Sequence, residues 1–228
     1  AAFGQEAQAA SLRGLITEVG DGFFLMEDET VGDVRVNLRD GVTVYDGIAA
    51  RDAMAVGQYV FVTHTGAMTR SIPPQVTALK VGCYVVSGTA EEILLTGVLV
   101  GGDAVLGEVI VRVDDQMPTV HRNVPITVYY NGVMTLSLPP QISAAYLTVP
   151  VLEGTVSALD WGGFTMTEAN GDVDTVMVTS ETLMRVLPAV GDTVVVYYDG
   201  TLLDVRCAYA LEVAPLTAAD GEALYTHE

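Results

Sequence analysis

Two stretches of this chain are nearly the same text. Residues 66–78 read GAMTRSIPPQVTA and residues 132–144 read GVMTLSLPPQISA, identical at eight of thirteen positions. Upstream, VFVTHTG (60–66) aligns with ITVYYNG (126–132) and with VVVYYDG (194–200). Fixed-period self-similarity means that one structural unit was written more than once. The opening segments agree: GLITEVGDGFFLME (14–27) aligns with GTVSALDWGGFTMTE (154–168), with one inserted residue. Copy two opens GVLVGGDAVLGEVIV (97–111) and is the most eroded. The reading is an N-terminal stub over 1–11, repeats over 12–86, 93–149 and 152–213, and an acidic tail over 214–228. Short linkers fall near 87–92 and 150–152.

Each copy reads as strands. In copy three, VSAL and FTMTEA flank a WGG turn, and Asn170-Gly171 predicts a two-residue type I′ hairpin before DVDTVMV. TSETLMRVLPAVGD is a connector with room for one helical turn, and two further strands follow. Val, Thr and Tyr dominate, as pleated surfaces favour. Val194, Val196 and Tyr198 fall on one face; Val195 and Tyr197 fall on the other. Five short strands, with a connector between the third and fourth, match the order of an OB-fold barrel. The predicted class is therefore all-β, with three tandem small five-stranded OB-like β-barrels.

The Gly14/Gly154 openings carry a family likeness. So do the VGQ (56–58) and VGD (190–192) segments before strand four, where copy two has NVP (123–125), and the tyrosine-glycine ending with its PPQ loop. On these residues the chain resembles the OB-type domains of secreted proteins and lipoproteins of Gram-positive bacteria, many of unknown function. Copy three departs from the pattern, with TLLDVRCAYA in place of the PPQ loop. The Ala-rich start reads as the stub left by a removed signal peptide or as an arbitrary chain start. The expected location is secreted or cell-surface.

Pro-Pro fixes φ twice and removes two donors, which predicts a stiff loop between strands four and five. The loop between these strands borders the ligand face of OB-folds. Met68, Gln75, Met134 and Gln141 are thus candidate ligand-binding residues, together with the tyrosine pairs Tyr129-Tyr130 and Tyr197-Tyr198. Packing roles for the same residues remain open: prolines blunting a rim, glutamines capping loop carbonyls, tyrosines filling a barrel end. Trp161, Phe164 and Phe23-Phe24 on the first hairpins could stack on a ring.

Twenty-nine acids against ten Lys and Arg give a net charge of −19. On that ground the sequence reading excludes nucleic acid, whose affinity rests on cations neutralising phosphates. The acidity concentrates late: residues 151–228 hold 13 acids and 2 arginines, a net −11, against −4 for 1–90 and −4 for 91–150. No apolar run reaches the roughly 20 residues of a membrane-spanning helix.

No cofactor is implied. There is no G-x-S-x-G elbow, no HExxH and no phosphate-binding glycine fingerprint. His64 occupies a slot held elsewhere by Tyr130 and Tyr198, and His121 and His227 lie in a linker-like stretch and the tail. Carboxylates cluster around two hairpin turns, Glu27, Asp28, Glu29 and Asp33 in copy one and Glu168, Asp172 and Asp174 in copy three. They are either solvated turn residues or oxygen ligands for Ca²⁺. Cys83 and Cys207 either form a long-range disulfide or stay as two thiols. The reading is a non-catalytic extracellular or cell-surface binding or spacer module, not an enzyme, with an unknown extracellular glycan or protein as partner. The first alternative is a carbohydrate- or peptide-binding protein using tyrosine-lined rims. The second is a calcium-binding or enzyme accessory domain.

Overall fold

The structure, a computed structural model, describes residues 10–47, 53–203 and 206–216. His227 and nearly all of the acidic tail lie outside them. The chain is all-β, with several strand assemblies and no α-helix among the described residues. It forms two compact units. Of the described residues, the first holds those up to Val86 with Val109–Asp114 and Val128–Leu147; the second holds Ser87–Glu108, Asp115–Thr127 and those from Thr148 onward.

In the first unit, β1 (Ala10–Gly20), β2 (Phe23–Asp28) and β3 (Gly32–Asn37) form an antiparallel meander. Ala10 and Ser11, expected in the stub, already pair with β5 (Tyr59–His64). β5 runs antiparallel to β6 (Gln75–Leu94), and the start of β6 pairs parallel with β3, Arg35 opposite Gln75. The hydrogen bonds thus run β1-β2-β3-β6-β5-β1, a closed circuit. The short β4 (Val44–Gly47) adds to β6 in parallel. Alternate residues turn inward, as the two-residue strand period requires. Phe24 and Met26 of β2 and Val34 and Val36 of β3 are fully buried in this core.

The second unit repeats the circuit. β11 (Val151–Asp160), β12 (Gly163–Glu168) and β13 (Val173–Met177) form the meander. β15 (Thr193–Tyr198) returns beside β11, and β16 (Cys207–Pro215) pairs antiparallel with β15 and parallel with β13. The connector, which has room for one helical turn, holds instead the two-residue β14 (Leu183–Met184). The Asn170-Gly171 turn is not type I′, because Asn170 is not among the residues of positive φ whereas Gly171 has φ 91°. Gly171 N–H donates to the Glu168 carbonyl and Glu168 N–H to that of Asp172, a three-residue loop with glycine in the left-handed position.

β6 runs unbroken through 87–92, so no linker exists there. A backbone device identifies the register. The meander's first strand bulges after Ile16 in copy one and after Val156 in copy three, and β6 bulges after Ala90 against β7 (Gly97–Asp103). Each bulged residue exchanges two backbone hydrogen bonds with the segment preceding strand four: Ile16 with Gly57 and Gln58, Ala90 with Asn123 and Val124, Val156 with Gly191 and Asp192. Gly57, Asn123 and Gly191 all have positive φ, at 85°, 64° and 98°. Asn123 is therefore the left-handed residue of copy two. Gly88 likewise takes the place of Gly14 and Gly154. A Cβ at these positions would lie 2.2, 1.8 and 2.5 Å from a carbonyl oxygen of the facing strand, Gly101, Glu27 and Thr167 respectively. Copy two continues with β8 (Gly107–Arg112), β9 (Pro125–Tyr130) and β10 (Gln141–Thr148), and β8 pairs parallel with β10, Ile110 opposite Gln141.

Candidate functional site

The two PPQ loops are built alike. In the first, Thr69 and Ser71 hydroxyls meet at 2.7 Å, Ser71 donates to the Pro73 carbonyl at 2.8 Å, and Gln75 N–H donates to Thr69 Oγ1 at 2.8 Å. Thr135, Ser137, Pro139 and Gln141 repeat these contacts at the same distances. Ile72-Pro73 and Leu138-Pro139 are cis in both. Threonine and serine hydroxyls thus satisfy the loop's backbone, which two prolines leave short of donors.

Beside this frame the loops diverge. Met68 packs against the first core, whereas Met134 stands exposed. Asn37 of β3 donates to Gln75 Oε1 at 3.4 Å and to the Val76 carbonyl at 3.2 Å. The corresponding residue of β8 is Arg112, which donates to Gln141 Oε1 at 3.0 Å. Arg112, Asn131, Met134, Thr135, Gln141 and Ser143 line a groove of about 220 Å³. Of the candidate residues, Met134 and Gln141 therefore meet in one concavity. Arg112 was missed by the sequence reading; its signal is its place on strand three, two residues past the start of the parallel pair.

The tyrosines do not form open rims. Tyr130 is buried and Tyr129 is partly buried against the first core. Tyr59 stacks on Tyr146 with centroids 5.5 Å apart and planes 7° apart, Tyr129 tilts against both, and Tyr130 lies 5.8 Å from Tyr84. Aromatic pairs in such geometries add to packing. Tyr59 also donates its hydroxyl to Glu29; burial first, then Glu29, raises its pKa far above the ordinary tyrosine value. In the second unit Tyr198 packs against the core and Tyr197 lies 5.7 Å from the His121 ring. His64 is buried and accepts the Gly66 N–H on Nδ1, and burial lowers its pKa.

Asp28, Glu29, Glu168, Asp172 and Asp174, five of the carboxylates offered for Ca²⁺, have protein partners. Arg206 reaches Asp174 Oδ1 at 2.7 Å, Asp172 Oδ2 at 3.1 Å and Glu168. In copy one Asp28 accepts backbone N–H groups from Arg13, Thr30 and Val31, and Arg13 pairs with Glu29. In copy three the Arg206 guanidinium lies among the three carboxylates, where a cation would sit. No group of three or more His, Cys, Asp or Glu among the described residues is arranged for a metal. Cys83 and Cys207 are both free, so the bridge is not formed; Cys83 belongs to the first core, where burial pushes its thiol up to about 11. No helix among the described residues is long and apolar enough to cross a membrane.

No family model matches the sequence, and no curated protein matches it. Among solved structures, the chain is similar to a multidomain protein with nucleic acid binding domains from Streptococcus pneumoniae. That match has 15% identity and a TM-score of 0.21, and covers 88% of this chain and 72% of that one. It is also similar to Drosophila Unr CSD456, at 11% identity and a TM-score of 0.20, over 92% of this chain and 98% of that one. At such TM-scores neither structure says what this chain binds. The exclusion of nucleic acid drawn from net charge is withdrawn on physical grounds. The physical fault in the exclusion is that −19 sums over the whole chain, whereas a binding face answers to its local charge and its stacking surfaces.

Proposed function

We propose that the chain is a non-catalytic binding module made of three tandem five-stranded OB-like barrels, and that the groove of copy two receives a short peptide. The strand circuit supports the architecture: the meander, the return strand and the parallel closing pair recur in copies one and three, and copy two shares the parallel pair and the bulge. One observation carries the function. Two loops of the same frame differ in the groove beside Met134, where an exposed thioether, an arginine and four polar side chains stand together. Methionine adapts to varied side chains, and arginine gives a carboxylate or carbonyl a forked donor. The tyrosines serve packing in this reading, so carbohydrate stacking on them is not its basis.

The test is selection of peptides from a display library on the intact chain, followed by binding to Met134→Ala and Arg112→Ala. Loss of about tenfold or more in both is the expected result for anchor residues. Peptides that bind both variants as well as the parent would refute the groove.

A further inference from the structure

The chain has a single tryptophan, Trp161. It sits at the tip of the β11–β12 hairpin and is fully exposed. It does not stand alone. Trp161, Leu159, Phe164, Val178, Met184 and Pro188 border a hollow of about 290 Å³. The exposed Leu183 and Leu187 are chain neighbours of Met184 and Pro188. Contiguous apolar surface of this kind on a folded protein marks an interaction site.

Charge selects the occupant. Copy three and the tail carry 13 acids and only two cations, Arg185 and Arg206. Both cations already face carboxylates: Arg185 lies 3.2 Å from Glu212, and Arg206 binds Glu168, Asp172 and Asp174. Asp160, beside Trp161, uses Oδ1 to accept the Trp161 backbone N–H at 2.7 Å. Asp160 is the charged residue among those lining the hollow, and no Lys or Arg among the described residues lines it. We infer that the hollow beside Trp161 docks a cationic amphipathic peptide, one large apolar side chain entering beside the indole and a flanking Lys or Arg facing Asp160. Tryptophan is a preferred anchor at such contacts, and complementary charge steers the encounter. This site is separate from the copy-two groove and does not rest on it.

Because Trp161 is the sole tryptophan, its fluorescence reports this site alone. The probe is a synthetic peptide of alternating Lys and Leu, titrated into the full chain. The expected result is a saturable blue shift of the emission, weakened by added salt as exposed charge contacts are. Binding followed through a label on the peptide should weaken about tenfold or more in Trp161→Ala and in Leu187→Ala. Met134→Ala should leave it unchanged, which separates this site from the proposed groove. The inference is overturned if the emission does not move, or if a Glu/Leu peptide shifts it equally. Equal response to polylysine would show charge without the hollow, and a shift with protein concentration alone would show a second copy as occupant. Equal response to a single-stranded oligonucleotide would show a different partner class; each of these outcomes also overturns it.

Discussion

Copies one and three place a carboxylate at the same point, the end of the meander's second strand, and hold it by different means. Asp28 lies opposite Gly14 and Glu168 opposite Gly154. Asp28 turns back onto its own hairpin and accepts three backbone N–H groups at 2.8–2.9 Å. Asp103 of copy two does the same with Ser87, Val105 and Leu106. Glu168, one methylene longer, instead meets Arg206. The carbonyls of Pro74, Pro140 and Arg206 each accept one N–H from strand three at 2.9 Å, so Arg206 stands where the other copies have the second proline. One exchange in the PPQ slot thus turns a local cap into a long-range ion network. The frame is indifferent to which chemistry satisfies the slot, provided that one does.

The largest effect should come from what all copies share. Gly14→Ala, Gly88→Ala and Gly154→Ala each drive a methyl into a backbone carbonyl, which cannot swing aside as a side chain would. Each should cost about 3 kcal/mol in urea unfolding. A neutral Gly88→Ala would break the claim that copy two opens within β6.

Next comes Arg206→Met, which keeps the aliphatic stem and removes the charge. Asp174 has no exposed surface and would face Glu168 and Asp172 without a cation. A buried carboxylate stripped of its partner is costly. The melting midpoint should fall by roughly 5 °C at neutral pH, and by less in acid, where protonation relieves the repulsion. An equal drop at both pH values would assign the loss to packing.

The pH dependence sharpens the contrast. Burial raises the pKa of Asp103, but the amides of Leu106, Val105 and Ser87 outweigh it and hold the carboxyl below its ordinary value. Its contribution is present above the unfolded pKa and is lost as pH falls through the folded one. Glu168 is shifted the other way, by its hydrogen bond to Asp174 and by burial, against the pull of Arg206. Its contribution is full below the unfolded pKa and is lost as pH rises through the folded one. Asp103→Asn should therefore flatten the acid side of the stability profile, and Glu168→Gln should lift the neutral side. Identical profiles for both variants would remove the distinction.

How far the sequence carried depends on what each feature does to side-chain chemistry. The strand meanders were legible because Val, Thr and Tyr alternate in them, and the PPQ frame was legible because its hydroxyls and prolines are fixed by one bonding scheme. Gly88 was not, since the text around it shares little with GLITEVG beyond the glycine that a carbonyl demands. Arg206 was not, because nothing local pairs it with Glu168, 38 residues earlier. The tyrosines were visible as a repeat, but repetition does not say whether a ring faces solvent or another ring. Tyr59 and Tyr146, which complete the cluster, lie outside the repeated pair.

Asn123 makes the smallest and most specific prediction. Copies one and three use glycine at this turn, where φ is positive and the N–H must reach the bulged strand. Glycine enters that region without a steric cost, while asparagine tolerates it better than other residues with a side chain. Asn123→Gly removes residual strain but frees the unfolded chain, so the two effects partly offset. The expected net gain is about 0.5 kcal/mol, and Asn123→Ala should lose about 1 kcal/mol. If alanine were tolerated as well as glycine, the conformation at 123 would not be the one that Gly57 and Gly191 hold, and the three-copy register would lose its support in copy two.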